Sequence, residues 1–304
     1  MADSLLFFGN ERLATGVTSQ VFVLQALIAA GYKIEAVITS NEDSVSRQKR
    51  DLEIGPIAHA AGIPVVLTGK NIPLEEKVAK HPADAAVLVA FGKIIPQKVI
   101  DMFPKGIINI HPSLLPKHRG PTPLESVILQ GDKETGVSLM QLAAKMDAGP
   151  VYAQETVLLN GNETKQQLAD HLLGLGANML VQYLPDILSG KLQPIPQNDA
   201  LATYDKLISK GASQLDFTKP AEQLAREVRA YSGWPKSRAT IATRDVVVTR
   251  AHAVPGGGVP GTISLEPGQL GVQTYDGVLI IDSLIPAGKK EMTAQAFLAG
   301  YPIV

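Results

Sequence analysis

The chain has 304 residues, of which 45% are hydrophobic and 19% are charged, and its formal net charge at pH 7 is −1. This length exceeds a typical single domain, so we expect two domains, and the near-neutral charge argues against a protein that coats nucleic acid. The absence of cysteine excludes disulfides, a thiolate nucleophile and a cysteine-ligated metal, and the six histidines lack the HxxxH spacing of a helical metal site.

The sequence carries no membrane or secretion signal. No basic segment precedes the short apolar stretch at residues 5–8, and no apolar run approaches the roughly 20 residues that a membrane-spanning helix requires. We therefore expect a cytoplasmic protein without a membrane partner.

Up to about residue 190, strand-like apolar runs alternate with runs of helical periodicity. This alternation predicts an α/β domain with a doubly wound, mostly parallel, Rossmann-like sheet. A long helical stretch at 164–188 closes the unit, with Gly190 as its C-cap. The runs before it cover residues 5–9, 21–30, 36–39, 51–61, 65–67, 85–90, 107–111, 123–130 and 137–142.

The chain then changes character. Residues 191–199 contain two prolines and no periodicity, which predicts an extended linker. After one predicted helix at 220–231, short β-type runs are separated by glycines, a pattern typical of a small β-barrel. These runs cover residues 238–242, 246–253, 261–265, 271–274 and 278–284.

The most informative segment is the strand-like run at 106–111. Asn109 and His111 stand two residues apart, so a strand directs both side chains to one face. Pro112 ends the strand, which places both residues at the carboxyl edge of the sheet, where ligands of α/β proteins bind. A turn at 146–149 supplies Asp147. An amide, an imidazole and a carboxylate together indicate acyl-type transfer, although all three could instead satisfy only main-chain groups.

Two motifs in this region resemble those of the folate-dependent formyltransferase family. Residues 109–120 (NIHPSLLPKHRG) are similar to the signature N-x-H-x-S-L-L-P-x-x-R/K-G, and residues 136–140 with 146–149 are similar to T-G-V-x-x-M followed by L-D-x-G. The resemblance implies 10-formyltetrahydrofolate as formyl donor. It also implies that Asn109 and protonated His111 stabilise an oxyanion, while Asp147 stabilises the imidazolium and relays a proton.

The same resemblance implies a folate site without a metal. Residues 90–96 (AFGKIIP) are similar to the family segment A-Y-G-x-I-L-P, which follows a buried strand, and the SLLP run forms the opposite wall. The predicted folate-binding residues are Phe91, Gly92, Lys93, Ile95, Ser113, Leu114, Leu115 and Pro116.

The C-terminal half resembles the members of this family that formylate methionyl-initiator tRNA for translation initiation, at residues 203–206, 215–217, 228–231, 234–235 and 286–295. This implies a formyltransferase catalytic domain at 1–190, a linker at 191–204 and an OB-like, tRNA-binding domain at 205–304. Arg47, Lys49 and Arg50 resemble a basic insertion that contacts the tRNA acceptor stem, since clustered cations neutralise phosphates. We expect a monomer.

One loop departs from the family pattern. Residues 9–16 (GNERLATG) replace the usual G-T-P-x-F/I-A segment, so the acceptor amine remains open at this stage. A formyltransferase acting on a sugar-nucleotide amine and a 10-formyltetrahydrofolate hydrolase would both keep Asn109, His111 and Asp147. A non-catalytic RNA-binding protein is the alternative from another class.

Overall fold

The computed structural model describes residues 3–40, 53–69, 72–266 and 269–301. Its first part alternates strands with helices, as the sequence predicts. The strands are β1 (Ser4–Gly9), β2 (Lys33–Thr39), β3 (Val65–Leu67), β4 (Ala85–Val89), β5 (Ile107–His111), β6 (Glu134–Gln141) and β7 (Val151–Leu158). The helices are α1 (Phe22–Ala29), α2 (Ile54–Ala60), α3 (Leu74–Val78), α4 (Gln97–Ile100), α5 (Pro123–Gln130) and α6 (Lys165–Leu188).

These strands form one sheet in the order β3-β2-β1-β4-β5-β6-β7. Strands β1 to β5 are paired in parallel, whereas β6 and β7 extend the sheet in the antiparallel sense. The strand order reverses between β1 and β4, which creates the crevice at the carboxyl edge where ligands of such folds bind. The predicted mostly parallel, Rossmann-like sheet is confirmed.

Helices cover both faces of the sheet around β5. All residues of β5 are buried, as expected for a central strand with packing on both sides. On one face, Gly176 of α6 lies so close to β5 that an added Cβ would stand 2.6 Å from Cγ2 of Ile110. On the other face, Ile107 packs in an apolar cluster with Val78 of α3 and Val99 of α4.

The ends of β1 and β4 approach closely at the carboxyl edge. Gly9 has a φ of +121°, and a Cβ at this position would lie 1.8 Å from the carbonyl oxygen of Val89. Only glycine fits such an approach with a positive φ. The main-chain N–H of Glu11 donates to the same carbonyl at 3.4 Å, which holds the loop that leaves β1 against the end of β4.

The second part contains α7 (Ala221–Ala230), β8 (Ser237–Ile241), β9 (Arg244–Val254), β10 (Ile263–Glu266), β11 (Gln269–Gln273), β12 (Val278–Pro286), β13 (Met292–Thr293) and α8 (Ala294–Gly300). The strands pair in the antiparallel sense in the order β10-β11-β12-β9-β8, and β13 joins β12. Buried and exposed residues alternate along β8, the pattern of a sheet with one face on the core. The predicted smaller C-terminal β domain is confirmed, and its strands form an antiparallel sheet.

The chain forms two compact units. Unit 1 contains Met1–Leu124, Glu134–Leu158 and Gln167–Lys206, and unit 2 contains Glu125–Lys133, Leu159–Gln166 and Leu207–Val304. The segment after α6 therefore belongs to the unit that carries the first sheet, while most of α5 belongs to unit 2. Within the described residues, no helix has the length and apolar character needed to cross a membrane.

Candidate catalytic site

Strand β5 places two polar side chains in the interior. Asn109 and His111 are only 6% and 5% exposed, and strand alternation puts them on the face opposite Ile110. In the antiparallel register with β6, Asn109 stands across from Met140 and His111 from Ser138. Among the described residues, none hydrogen-bonds the side-chain amide of Asn109.

The His111 ring lies between two acceptors. Its Nε2 is 3.0 Å from the carbonyl oxygen of His118, which can only accept, so Nε2 carries a proton and donates it. Its Nδ1 faces Oδ1 of Asp147 at 3.8 Å, a separation longer than a hydrogen bond. A second proton on Nδ1 would therefore face a carboxylate.

The Asp147 carboxylate is also held by the main chain. Its Oδ2 accepts a hydrogen bond of 2.8 Å from the N–H of Gly120, and the side chain is 15% exposed. A charged acceptor with an amide donor makes a strong hydrogen bond, which keeps the carboxylate turned toward His111. The structure thus brings two of the three predicted catalytic residues to one point and places the third on the same face of the same strand.

Asp147 reaches His111 only because its loop turns back. Strand β6 runs antiparallel to β5, so the loop after β6 begins near the amino end of β5, as the hydrogen bond from the N–H of Leu142 to the carbonyl of Ile107 shows. Gly149 permits the return, because a Cβ there would lie 1.9 Å from the carbonyl oxygen of Gln141.

The first wall of the predicted folate site has mixed exposure. Phe91 is 2% exposed and packs edge-on against Phe8, with ring centroids 5.4 Å apart, so its side chain belongs to the core. Ile95 lies in the same apolar cluster. Gly92 and Lys93 are exposed, and the ammonium of Lys93 donates to the Thr68 hydroxyl at 2.9 Å. The main chain at 91–93 is therefore the part of this wall that a flat ring could meet.

The SLLP run is a stiff, internally bonded loop. The Ser113 hydroxyl is buried and donates to the carbonyl of Lys117 at 2.7 Å. Leu115 is buried too, and its N–H donates to the Ser138 hydroxyl at 3.1 Å. Leu114 and Pro116 are partly exposed, so these two residues can offer apolar surface to a ligand.

The catalytic residues do not line the large cavity of unit 1. A cavity of about 680 Å³ opens near the amino end of β5, lined by Lys105, Gln141, Tyr152 and residues 187–190 and 192–194, among others. Burial raises the pKa of Tyr152 above its ordinary value. None of the three predicted catalytic residues borders this cavity.

The predicted tRNA-binding residues Arg47, Lys49 and Arg50 lie outside the described residues. The prediction that they contact an acceptor stem therefore remains a prediction.

The loop that departs from the family pattern contains a buried carboxylate that sequence reasoning missed. Glu11 is 1% exposed, and its two oxygens accept hydrogen bonds from the N–H groups of Val23 and Leu24 at 2.8 and 2.7 Å. It thereby caps the first turn of α1. Burial raises the pKa of Glu11 to about 7, although these two hydrogen bonds act in the opposite direction.

Arg119 lies at the centre of a second group of residues, to which the sequence analysis assigned no role. This residue is fully buried and contacts Gln197, Asp199 and Tyr204 of the segment after α6. Arg119 stands in the first signature, but its spacing from Gln197 along the chain leaves no local signal of their contact. A periodic pattern predicts elements and not such long-range pairs.

Comparison with known proteins matches both halves of the chain to formyltransferases. Residues 18–184 match the formyl transferase family, and residues 207–302 match the formyl transferase C-terminal domain. A methionyl-tRNA formyltransferase of Pelobacter propionicus is 33% identical over 305 residues, which cover 99% of this chain and 94% of the relative. One from Listeria monocytogenes is also 33% identical, over 97% of this chain and 95% of the relative.

Solved structures share the fold. An N-formyltransferase from Helicobacter canadensis, in complex with folinic acid and dTDP-3-aminofucose, superposes with a TM-score of 0.69 at 19% identity, over 96% of this chain and all of the other. HypX from Aquifex aeolicus, in complex with tetrahydrofolic acid, gives 0.64 at 17% identity, over 98% of this chain and 47% of the other.

Proposed function

Because the chain belongs to the formyltransferase family, we propose that it transfers a formyl group from 10-formyltetrahydrofolate to the amino group of methionyl-initiator tRNA. The similarity to methionyl-tRNA formyltransferases carries this proposal, since it covers nearly the whole chain and both of its matched regions. The acceptor would then be a macromolecule, with the formyl donor as co-substrate.

The transfer needs hydrogen-bond donors for an oxyanion, an acceptor for the proton that the amine loses, and a proton for N10 of the folate. As the amine attacks the formyl carbon, a C–N bond forms and the carbonyl oxygen becomes an oxyanion. The Asn109 amide and the Nδ1–H of protonated His111 are donors on one strand face that can stabilise this oxygen. Asp147 can accept the proton that the amine loses, directly or through a water molecule. Cleavage of the bond between the formyl carbon and N10 of the folate, with protonation of N10, completes the transfer.

The position of His111 supports this division of roles. Its Nε2 is already engaged by the His118 carbonyl, so Nδ1 is the nitrogen that remains for the reacting atoms. At 3.8 Å from Asp147, the Nδ1–H makes no short hydrogen bond to the carboxylate, so it can donate to an oxyanion as charge develops. We propose that the folate lies between the main chain at 91–93 and the partly exposed Leu114 and Pro116.

We further propose that Arg47, Lys49 and Arg50 bind phosphates of the acceptor stem. Removing up to three phosphate contacts should weaken tRNA binding and flatten its dependence on salt by a unit or more on a log–log plot. The test is a binding titration of charged initiator tRNA, at several salt concentrations, with the variant in which all three residues are changed to Ala.

A matched control separates local contact from net charge. Changing Lys80, Lys98 and Lys191 to Ala removes the same charge from exposed positions elsewhere, and this variant should bind tRNA nearly as well as the wild type. Binding of a stable folate analogue should be unchanged in both variants. Equal losses of tRNA affinity in the two variants would show that Arg47, Lys49 and Arg50 do not contact the tRNA.

The acceptor itself is tested by a formyl-transfer assay that offers methionyl-initiator tRNA, a sugar-nucleotide amine, or water alone to the wild-type protein. We expect N-formylmethionyl-tRNA as the main product. Formylation of the sugar amine, or release of formate without an acceptor, would contradict the tRNA assignment while leaving the catalytic residues in place.

A further inference from the structure

The side chain of Gln197 bridges the loop that carries Asp147 to a buried arginine. Its Nε2 donates to the carbonyl oxygen of Asp147 at 2.8 Å and to that of Gly149 at 2.7 Å. Its Oε1 accepts from Nε of Arg119 at 3.1 Å and from Nη2 at 2.8 Å. The amide thus uses both donors and both lone pairs, and these contacts also define which end is nitrogen. All of these residues lie in unit 1.

Arg119 in turn is fixed by several partners. Its guanidinium is fully buried, and besides Gln197 it donates to Asp199 at 2.7 Å and to the Tyr204 hydroxyl at 2.9 Å. Burial alone would lower the pKa of Arg119, but the hydrogen bonds to Asp199 and Tyr204 raise it above its ordinary value. A planar guanidinium with partners on every edge is a rigid support, because it can turn only by breaking several bonds at once.

The main chain beyond Arg119 is paired as well. The N–H of Arg119 donates to the carbonyl of Thr203 at 2.9 Å, and its carbonyl accepts from the N–H of Asp205 at 2.8 Å. Gly120, the next residue, is the one whose N–H binds the Asp147 carboxylate. The segment after α6 therefore supports both the donor to that carboxylate and, through Gln197, the loop that carries it.

The loop that Gln197 holds contains a residue with a strained main-chain conformation. Asp147 has a φ of 47°, a left-handed conformation that a non-glycine residue adopts at a cost in free energy. Such a residue keeps its conformation only where its surroundings hold it. The two hydrogen bonds from Gln197 flank it, on the carbonyl of Asp147 itself and on that of Gly149.

We propose that Gln197 is a positioning residue that sets the distance between the Asp147 carboxylate and the His111 imidazole, and that Arg119 orients Gln197 for this role. The inference rests on the proposed catalytic function of Asp147. Gln197 and Arg119 act through Asp147 and do not themselves touch the reacting atoms.

The first test compares three variants of linker glutamines. Gln197→Ala removes all four hydrogen bonds, and Gln197→Glu keeps the acceptor for Arg119 but loses the donors to the two carbonyls. Because a misplacement of about 1 Å can cost on the order of 10²-fold in rate, we expect both to lower kcat by roughly 10- to 100-fold, with little change in KM. Gln193→Ala is the control, since Gln193 binds only the Gly190 carbonyl among the described residues and should retain wild-type kcat.

The second test asks whether the effect passes through Asp147. In an Asp147→Ala background, Gln197→Ala should cost less than about 3-fold more, because residues that act as a unit are non-additive. The acidic limb of the pH–rate profile should also move in Gln197→Ala, measured at a temperature at which the variant is fully folded. A full additional loss in the Asp147→Ala background, or full activity of Gln197→Glu, would overturn the proposal.

A structural measurement keeps this proposal independent of the proposed function. In a crystal structure of Gln197→Ala, the Asp147 carboxylate should be displaced from its wild-type position beside His111 by about 1 Å or more. An unmoved carboxylate would refute the positioning role whatever substrate the protein uses. Conversely, a wild-type protein inactive toward methionyl-tRNA, with Asp147 displaced in the variant, would refute only the assigned acceptor.

Discussion

The two units bury polar side chains for different purposes. In unit 1, the His111 imidazole faces the Asp147 carboxylate, and Asn109 lies on the same face of β5 as His111. In unit 2, the buried Lys165 ammonium joins Glu125 at 3.2 Å and the carbonyl of Trp234 at 2.8 Å, which ties the first turns of α5 and α6 to the loop before β8. The first group contains the proposed catalytic residues, whereas the second connects pieces of the chain. Substitutions in the first group should therefore cost activity, and those in the second should cost stability.

The largest effect should come from breaking the buried pair of unit 2. Lys165→Met leaves the Glu125 carboxylate buried without its cation, which should lower the free energy of unfolding by about 3–5 kcal/mol. Urea unfolding measures this change. Below the unfolding transition, formyl transfer should remain within a few-fold of the wild type, because no proposed catalytic residue is altered.

The paired variant Lys165→Met with Glu125→Leu is the control for this prediction. It removes both charges from the interior, so it should recover much of the lost stability. A double variant that is less stable than Lys165→Met alone would mean that each residue contributes separately and that the pair is not the unit of stability.

The next largest effect should appear in unit 1 as lost rate. Asn109→Ala and His111→Ala should each lower kcat by roughly 10²- to 10³-fold, the range found for lost oxyanion donors. Both variants should still fold, and His111→Ala should lose roughly 1–3 kcal/mol of stability with the hydrogen bond to the His118 carbonyl. Steady-state kinetics together with thermal unfolding would check both halves of the statement. If either variant were folded and kept a kcat near that of the wild type, its residue would have no role in the mechanism.

Sequence reasoning located the first group of residues better than the second. Asn109 and His111 are found from local pattern alone, because strand alternation and the following proline determine their face and edge. The connection from Lys165 to Trp234 spans 69 positions and depends on tertiary packing, so no periodicity records it. The same holds for Gln197, which meets Asp147 across 50 positions.

Several elements of the fold also escaped prediction for physical reasons. Strand β7 lies at the edge of its sheet, three of its eight residues are exposed and none is fully buried, so its apolar signal is weak. Helices α3 and α4 have only 5 and 4 residues, too few for a 3.6-residue period to show. The central strands were identified because both of their faces are apolar.

Glu11 sharpens the comparison, because it is a buried carboxylate of unit 1 with a structural role. Its folded-state pKa of about 7 lies above the ordinary value of 4.5, so its contribution to stability is complete below pH 4.5 and is lost as the pH rises through 7. Each unit of difference corresponds to roughly 1.4 kcal/mol. Glu11→Gln cannot ionise, so its unfolding free energy should fall less than that of the wild type between pH 5 and pH 8.

This difference is measured by urea unfolding at several pH values in both proteins. Equal pH dependence in the two would show that Glu11 does not titrate in this range, and the cap on α1 would then be made by an ionised carboxylate throughout.

The smallest effects should come from two lysines that differ in the burial of their acidic partners. Lys191 pairs with Asp186 at 3.2 Å, and both side chains are well exposed, at 76% and 46%. Exposed pairs contribute roughly 0–1 kcal/mol, so Lys191→Ala should change stability by less than about 0.5 kcal/mol.

Lys219 in unit 2 pairs at 2.7 Å with Glu227, whose side chain is only 4% exposed. Lys219→Ala leaves that buried carboxylate without its cation and should cost about 1–3 kcal/mol. Equal effects of the two substitutions in urea unfolding would show that burial of the acid does not govern the cost. A larger effect at Lys219 would confirm that unit 2 depends on its buried charges for stability.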